Sequence, residues 1–481
     1  MTHREAIVVG GGVGGLQAAH TFARAGLAPL LLESRGTPGG LVFGAPVGGV
    51  WVDLGAESFA KRSREVAGLC ADLGLEVVDP AGGSWVWSHR RRPGADPSEP
   101  AGHAIAIPHG VLGIPTDLDD PIVAALLSPA GLARARQDLT MGPEPGADAE
   151  DLAALVTARL GEEVLDRLVD PIAGGVHSAH PSRLAVDVVS PGLRAALARE
   201  GSLVRAAAAV RAAAPAGAVV SAASGGMFTL PRALATRIGE LGGEVATRRV
   251  VTAIARDGDR WRVTHHAAGR AADPAAPPVA TGETTVDTTS RLVIALDGRA
   301  ALDLLRTVEG LDIGDWELPR GADLAQVCIS LAEPRLDAGP RGSGLLVTPL
   351  AEGETRRVAC KAITHYSLKW PAVVAGSGLH VLRVSYGRAG VPTPEPTLAD
   401  ALADASVLLG VDLREQDVAG HAVVHFPNSL PPQTPEHRAR VAALAASLAD
   451  HPGLAVTGAW FAGTGLAAVI PHATAVAQEL S

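Results

Sequence analysis

The first apolar run of the chain is continuous and does not alternate with polar residues. Ala6-Ile7-Val8-Val9 is short and rich in β-branched residues, which is typical of a strand buried on both faces. Glycines fill most of 10–15, and apolar residues then recur at helical spacing over 16–25. A second apolar run over 28–32 ends in Glu33. The pattern predicts a strand, a tight turn, a helix and a second strand, which open a parallel α/β sheet.

Patterns of the same kinds recur far along the chain. Largely apolar runs at 291–296 and 454–457 predict further buried strands. Helical spacing over 63–73 and 435–449 predicts further helices. One parallel sheet is therefore expected to draw its strands from the start, the middle and the end of the chain.

The intervening regions have other patterns. Residues 119–211 are mainly helical in spacing, and Pro171 is expected to end one of these helices because proline lacks an amide hydrogen. Between 322 and 426, β-branched runs alternate with turns and predict a second sheet. Residues 266–289, rich in Ala, Pro and Thr, predict a loop.

Together these patterns predict an α/β protein with a discontinuous Rossmann-like domain, a mixed-sheet substrate domain and a helical subdomain. We expect the Rossmann-like domain to comprise 1–85, 220–310 and 445–481. The helical subdomain would span 86–219 and line the substrate or membrane side. The mixed-sheet domain would span 311–444.

The first turn has the chemistry of a dinucleotide site. Gly10, Gly12 and Gly15 fill the glycine positions of G-x-G-x-x-G, which permit the turn, the approach of a pyrophosphate and close helix–strand packing. The following helix would direct its free amides at phosphate. Glu33 stands about 20 residues on, where a carboxylate accepts ribose hydroxyls and repels a 2′-phosphate. FAD or NAD is therefore expected, not NADP; the alternative is a glycine-rich turn of another α/β unit.

Composition excludes several function classes. The 481 residues carry a formal charge of −10, which argues against nucleic-acid binding. Three scattered cysteines give no disulfide framework or zinc motif, fit a reducing cytoplasm, and leave no metal site expected. The uncharged windows 212–231 and 454–478 are interrupted by Gly and Pro and do not predict a membrane span, so only peripheral membrane contact stays open.

Two loops are candidates for the reacting end of a cofactor. Residues 457–466 join a strand to a helix through small residues, and a helix N-terminus there could stabilise negative charge on a reduced flavin. The alternative is a plain strand–helix turn. Gly174-Gly175-Val176-His177 predicts a loop that a substrate could approach. The alternative for His177 is a structural hydrogen bond.

Several stretches resemble one flavoprotein family over nearly the whole chain. Besides the glycine turn they are Asp53-Leu54-Gly55-Ala56-Glu57-Ser58-Phe59, Ile114-Pro115, Pro171-Ile172-Ala173-Gly174-Gly175-Val176, Lys369-Trp370-Pro371 and 458–466. Their order and spacing resemble the FAD-dependent porphyrinogen oxidases, the bacterial protoporphyrinogen and coproporphyrinogen oxidase family among amine-oxidase-like flavoproteins. The resemblance implies that the cofactor is FAD.

The resemblance also implies a set of cofactor contacts, carried over by matched position. The residues of the ADP half would be Gly10, Gly11, Gly12, Val13, Gly14, Gly15 and Glu33, with the Val251 backbone on adenine. The residues that line the flavin would be Gly40, Leu41, Gly55, Ala56, Glu57 and Ser58, with Phe426 at a family aromatic position. The residues that cap the isoalloxazine would be Ala459, Thr464, Gly465 and Leu466. The candidates for the catalytic pocket would be Gly174, Gly175 and His177.

The implied activity is oxidation of coproporphyrinogen III to coproporphyrin III in haem biosynthesis, with dioxygen as acceptor and a hand-off to a downstream haem-pathway enzyme. Ser84 stands where some family members have a propionate-binding Arg, which favours coproporphyrinogen. Its propionates would need cations, for which Arg90–Arg92, Lys361 and Lys369 are candidates. A cytoplasmic location is expected, with peripheral contact on the inner membrane face open.

Other functions stay open at this point. A protoporphyrinogen IX oxidase has the same cofactor chemistry. An amine oxidase or carotene desaturase is the rival enzyme of the superfamily. The rival outside enzymes is a protein that binds flavin or porphyrin without turnover.

Overall fold

The computed structural model describes residues 1–61, 63–89, 96, 98, 101–174, 177, 180–213, 220–269, 278–318, 320–348, 350, 355–388, 391, 393, 395–429 and 434–481. Gly175, a predicted pocket residue, lies outside these residues, and so do Arg90, Arg91 and Arg92.

A five-stranded sheet is assembled from three distant parts of the chain. Every neighbouring pair of its strands is parallel. In spatial order the strands are Glu244–Thr247, Pro29–Glu33, Ala6–Val9, Leu292–Ile294 and Leu454–Val456. Numbered along the chain within this sheet, the strands lie in the order 3-2-1-4-5, with Ala6–Val9 at the centre, which is the order of dinucleotide-binding folds. The predicted discontinuous Rossmann-like sheet is confirmed.

Both faces of this sheet are covered, which explains the continuous apolar run. Ala6 and Val8 face a core with the helices Val13–Arg24, Arg64–Asp72, Thr229–Glu240 and Leu466–Leu480. Ile7 and Val9 face a second core with the helices Gly298–Leu305 and Pro435–Leu448. Since successive strand residues point to opposite faces, all four must be apolar.

An antiparallel sheet covers the second core. It consists of Arg249–Asp257, Arg260–Ala268 and Ala280–Thr289, with Thr2–His3 added in parallel at one edge. The loop predicted over 266–289 is therefore wrong at both ends. The Thr-rich and Val-containing stretch before residue 290 has the β-branched side chains that suit a pleated surface, and pairing with Arg260–Ala268 realises that preference.

The second sheet has seven strands and is mixed. In spatial order they are Val418–Ser429, Ala322–Leu331, His380–Tyr386, Ala362–His365, Gly344–Val347, Ser84–Ser88 and His103–Ala106. One face packs on the helix Leu398–Leu409 around a core of its own. The strand expected over 84–87 is Ser84–Ser88, and the expected domain boundary at 86 falls within it; His103–Ala106 lies in the range assigned to the helical subdomain.

A helical layer with a separate core follows these two strands. Its helices are Pro121–Leu126, Pro129–Arg136, Gln137–Thr140, Leu152–Leu160, Glu162–Val164, Leu165–Gly174, Pro181–Arg183, Val186–Val189, Leu193–Glu200 and Leu203–Ala213. A fully buried ion pair between Arg159 Nε and Asp138 Oδ1, 2.6 Å apart, lies within this layer. Asp138 also accepts the amides of Leu203 and Val204 and so caps the last helix.

Pro171 does not end its helix, contrary to the expectation. Leu165–Gly174 is a π-helix that continues past Pro171 to Gly174. The wider turn relieves the clash of the proline ring with the preceding turn, which an α-helix would not tolerate.

Short elements complete the fold. The hairpin Gly44–Val47 with Val50–Asp53 turns at Gly48-Gly49, as the sequence predicts. The remaining short strands are Phe59–Ala60, Val77–Val78, Val220–Ala223, Gly110–Val111 and Ile114–Pro115, and the remaining short helices are Pro334–Ala338, Tyr366–Lys369, Pro371–Val374, Glu415–Asp417 and Ala459–Ala462. Within the described part of the chain, the helices are too short or too polar to cross a membrane.

Candidate active site

The first turn of the Rossmann-like sheet excludes side chains at two of its glycines. Gly10 has φ +105°, and a Cβ there would lie 2.5 Å from the Ala295 carbonyl oxygen. A Cβ on Gly15 would overlap the carbonyl oxygen of Gly10. The turn, the helix Val13–Arg24 and the strand Leu292–Ile294 can therefore approach one another only because these positions are glycine.

The middle glycine faces free space. A Cβ on Gly12 would meet no described atom within 4 Å, although Gly12 caps the helix that begins at Val13. The first amides of this helix have no partner within the helix. Gly39 donates its amide to the Gly11 carbonyl at 2.7 Å, and Gly40 lies against the Gly12 Cα. An open space bounded by two glycine turns and helix amides fits a pyrophosphate.

Glu33 lies at the end of its strand, beside this turn. Its carboxylate is 7% exposed, accepts the Gly11 amide at 2.7 Å through Oε2 and accepts the Arg35 amide at 2.6 Å through Oε1. Oε1 also accepts the Ser34 hydroxyl at 3.3 Å, so Oε2 is the oxygen that can accept a further hydrogen bond. The carboxylate is thus held where a ribose next to the pyrophosphate would present its hydroxyls.

The two predicted flavin-lining segments are joined by the backbone. Ala56 donates its amide to the Leu41 carbonyl at 2.8 Å, and the amide of Gly55 bonds to the Phe43 carbonyl at 3.2 Å. A Cβ on Gly55 would overlap the Leu41 carbonyl oxygen. Phe426 of the seven-stranded sheet packs against Phe43, with ring centroids 6.3 Å apart. The structure therefore brings Gly40, Leu41, Gly55, Ala56 and Phe426 to one region.

Glu57 has a different surrounding from the one its predicted flavin contact implies. Its carboxylate pairs with Lys369 Nζ at 2.5 Å and with the Arg383 guanidinium. Burial would raise the pKa of Glu57, but the two cations outweigh it and hold this pKa below its usual value. Ser58 follows at a half-buried position. Lys369, a candidate for substrate propionates, is committed to this ion pair.

Asp53 is a second anchored carboxylate of the same segment. It is fully buried and accepts the amides of Met227 and Phe228, at 2.9 and 2.7 Å, and the Tyr366 hydroxyl at 2.8 Å. Sequence reasoning named Asp53 only within the Asp53–Phe59 stretch, without a role, and it missed Tyr366 and Arg383. The signal for Arg383 is a charge in the middle of the apolar strand His380–Tyr386, where an unpaired cation is unfavourable.

The C-terminal segment meets the first helix. A Cβ on Gly14 would lie 3.0 Å from Val469 Cγ1 and 3.8 Å from the Gly458 Cα. Leu466 begins the helix Leu466–Leu480, whose N-terminus therefore lies near that of Val13–Arg24. The predicted flavin-capping residues are exposed: Ala459 begins the short helix Ala459–Ala462, and Thr464 and Gly465 lie just before Leu466.

The remaining predicted contacts lie on other elements. Val251 is half-buried on Arg249–Asp257, at an irregularity of the strand beside the second core. Gly174 ends the π-helix, which packs on Ser84–Ser88 and Gly344–Val347 of the seven-stranded sheet. His177 is half-buried, and burial lowers its pKa.

Lys361, the other described cation considered for propionates, is 8% exposed. Burial and the nearby Arg388 charge lower its pKa to about 8. In the part of the chain that the structure describes, no group of three or more His, Cys, Asp and Glu could hold a metal ion.

Comparison with known proteins identifies the family. Residues 13–481 match the family described as flavin containing amine oxidoreductase. The chain belongs to this family. A coproporphyrinogen III oxidase of Mycobacterium leprae is 30% identical over 496 residues, which cover 100% of this chain and 99% of the relative. A coproporphyrinogen III oxidase of Bacillus subtilis is 24% identical and covers 99% of this chain and 97% of its own.

Solved structures agree on the fold. A protein of Exiguobacterium, provisionally described as a protoporphyrinogen oxidase, has a TM-score of 0.78 at 21% identity over 100% of this chain and 99% of its own. Reduced UDP-galactopyranose mutase has a TM-score of 0.67 at 14% identity over 99% of this chain and 95% of its own. The predicted fold class, the cofactor FAD and the class of FAD-dependent oxidoreductase are confirmed, and the open Gly12 turn with Glu33 beside it fits FAD.

Proposed function

We propose that this flavoenzyme oxidises coproporphyrinogen III to coproporphyrin III in haem biosynthesis, with dioxygen as the terminal acceptor. The observation that carries the proposal is the full-length similarity, at 30% identity, to the coproporphyrinogen III oxidase of Mycobacterium leprae. The glycine cradle around Gly12 and the anchored Glu33 support it, since the reaction needs a bound flavin.

The reaction balances without an amino-acid base. Conversion of the porphyrinogen to the porphyrin removes six electrons and six protons in three steps, and three dioxygen molecules leave as three hydrogen peroxide molecules. Bound FAD supplies the hydride acceptor. The pyrrole nitrogens and imine tautomers of the macrocycle release protons themselves, so we assign no general base.

The residues of this chain would bind and orient both molecules. The amides at the start of Val13–Arg24 would face the pyrophosphate, and the Glu33 carboxylate the ribose. Gly40, Leu41, Gly55 and Ala56 would lie along the flavin. We propose Gly174 and His177 for the substrate pocket, because their helical layer packs on the seven-stranded sheet.

Two porphyrinogens test the proposal. The purified yellow protein is mixed with coproporphyrinogen III or protoporphyrinogen IX without oxygen, and flavin absorbance is followed. We expect bleaching by both and a higher kcat/KM for coproporphyrinogen III on return of oxygen. An equal or higher value for protoporphyrinogen IX would overturn the substrate assignment. A flavin that stays oxidised with both would indicate a binding protein without turnover.

We further propose a cytoplasmic location, peripheral contact with the inner membrane face and hand-off of the porphyrin to a downstream enzyme. Cys70, Cys328 and Cys360 are free and buried, which supports a reducing compartment. Centrifugation of the protein with and without anionic lipid vesicles tests the membrane contact. Cosedimentation of the protein with the vesicles would support it, and full recovery in the supernatant would exclude it under those conditions.

A further inference from the structure

One short helix binds two carboxylates, Asp53 and Glu57, of the segment that follows the hairpin. Tyr366 and Lys369 stand at opposite ends of the helix Tyr366–Lys369. The Tyr366 hydroxyl donates to Asp53 at 2.8 Å, and the Lys369 ammonium pairs with Glu57 at 2.5 Å. The helix thus spans the four-residue interval between Asp53 and Glu57 and binds both ends of it.

Arg383, on the seven-stranded sheet, binds the same segment. Its guanidinium donates to the Glu57 carboxylate and, through Nη2, to the Gly55 carbonyl at 2.6 Å. The other side of the guanidinium is held by Gln326 Oε1, at 3.1 Å from Nε. Arg383 is therefore held in place by Gln326 on the neighbouring strand. Its planar guanidinium has enough donors to bind the Glu57 carboxylate and the Gly55 carbonyl as well.

These contacts extend to both predicted flavin-lining segments. Gly55 and Ala56 are joined by hydrogen bonds to 41–43. A Cβ on Gly55 would overlap the Leu41 carbonyl, so the two segments have little room to adjust separately. A displacement of Glu57 would consequently move Gly55, and with it the backbone of Leu41.

Glu57 itself is poorly placed to contact a cofactor. Its two carboxylate oxygens face two cations, and Oε1 accepts from Lys369 while Oε2 accepts from Arg383. The side chain is only 16% exposed, and that of Arg383 is 5% exposed. Removal of a carboxylate between two such cations leaves buried charge without its partner, which is more damaging than loss of a surface ion pair.

We propose that Glu57 is a positioning residue for FAD: its ion pairs with Lys369 and Arg383 hold the 40–41 and 55–58 segments in the shape that receives the flavin. This inference rests on the proposed function, which assigns those segments to the flavin. It replaces the direct flavin contact expected for Glu57.

The experiment measures FAD binding by the full-length chain. The test variant is Glu57→Gln, which keeps the size of the side chain and removes its charge. The matched control is Glu163→Gln, since Glu163 pairs with Arg167 at 2.6 Å and is 21% exposed in the helical layer. The readouts are the FAD dissociation constant, the visible circular dichroism of the bound flavin and the thermal unfolding temperature.

We expect Glu57→Gln to raise the FAD dissociation constant about tenfold or more, because the segments released from Lys369 and Arg383 must then be ordered at the expense of binding free energy. The visible circular dichroism should change with it. Glu163→Gln should lower the unfolding temperature and leave both flavin readouts unchanged. Unchanged FAD binding in Glu57→Gln, or an equal effect in Glu163→Gln, would overturn the positioning role.

A second variant keeps the test valid if Glu57→Gln does not fold. Lys369→Met removes one cation and retains the Arg383 pair, so we expect a smaller rise in the FAD dissociation constant. Lys369→Met combined with Glu57→Gln should add little to Glu57→Gln alone. Fully additive effects, or no effect of Lys369→Met, would contradict the proposal. Absence of FAD affinity in the wild-type chain would instead contradict the proposed function.

Discussion

At the scale of single residues, Gly12 and Gly15 are required for different physical reasons. Gly15 lacks a side chain because the Gly10 carbonyl occupies the place of a Cβ. Gly12 has an ordinary φ of −64° and open space beside it. The protein alone would therefore accept alanine at Gly12, whereas a bound pyrophosphate would not.

This difference predicts that alanine at Gly12 mainly weakens FAD binding, whereas alanine at Gly15 mainly destabilises the apoprotein. We expect Gly12→Ala to change the free energy of unfolding of the apoprotein by less than about 1 kcal/mol, as at other unstrained sites, and to weaken FAD binding about tenfold or more. Gly15→Ala should lower the free energy of unfolding of the apoprotein several times more than Gly12→Ala does. Urea unfolding and FAD titration measure the two effects. Tight FAD binding by Gly12→Ala would exclude a close pyrophosphate at this glycine.

At the scale of elements, Asp53 connects a hairpin to the start of a helix. Its carboxylate accepts the Met227 and Phe228 amides just before Thr229–Glu240, where the helix dipole favours negative charge. The same carboxylate accepts the Tyr366 hydroxyl. A side chain from a distant strand therefore fixes the two residues that lead into the helix.

Asp53→Ala should reduce the free energy of unfolding by about 3–5 kcal/mol, because it leaves several buried donors without an acceptor. Thr397→Ala is the control, since Thr397 caps the helix Leu398–Leu409 at the surface. There we expect a loss of about 1 kcal/mol. Denaturant unfolding compares them, and equal losses would show that Asp53 is no more than an ordinary cap.

At the scale of the whole molecule, the proposed FAD site draws on segments that lie far apart in the chain. The first turn, the 55–58 segment and the start of Leu466–Leu480 converge on the central sheet and its neighbours. A ligand bound by all three would stabilise the native state by mass action. Removal of this ligand should destabilise the first turn and the start of Leu466–Leu480 together.

We expect FAD at 100 times its dissociation constant to stabilise the apoprotein by about 2.7 kcal/mol, seen as a higher unfolding temperature. NADP⁺ at the same concentration should have little effect, because the Glu33 carboxylate would face its 2′-phosphate. A similar rise with NADP⁺ would contradict the role of Glu33.

Local patterns predicted most elements to within a few residues. The helix expected over 16–25 is Val13–Arg24, and the strand expected over 28–32 is Pro29–Glu33. Short-range periodicity suffices here because each element buries its own apolar face. It failed at Pro171 and over 266–289, where a π-helix and an antiparallel partner overruled the local signal.

The sequence by itself determined the strand–turn–helix unit, the glycines at 10 and 15 that let the backbone segments approach closely, and the acidic end of the second strand. These features are encoded within about 30 consecutive residues. Only the tertiary structure decided what Asp53 and Glu57 contact. Their partners Phe228 and Arg383 are 175 and 326 residues away, and such pairings follow from how the sheets and helices pack, not from any local pattern.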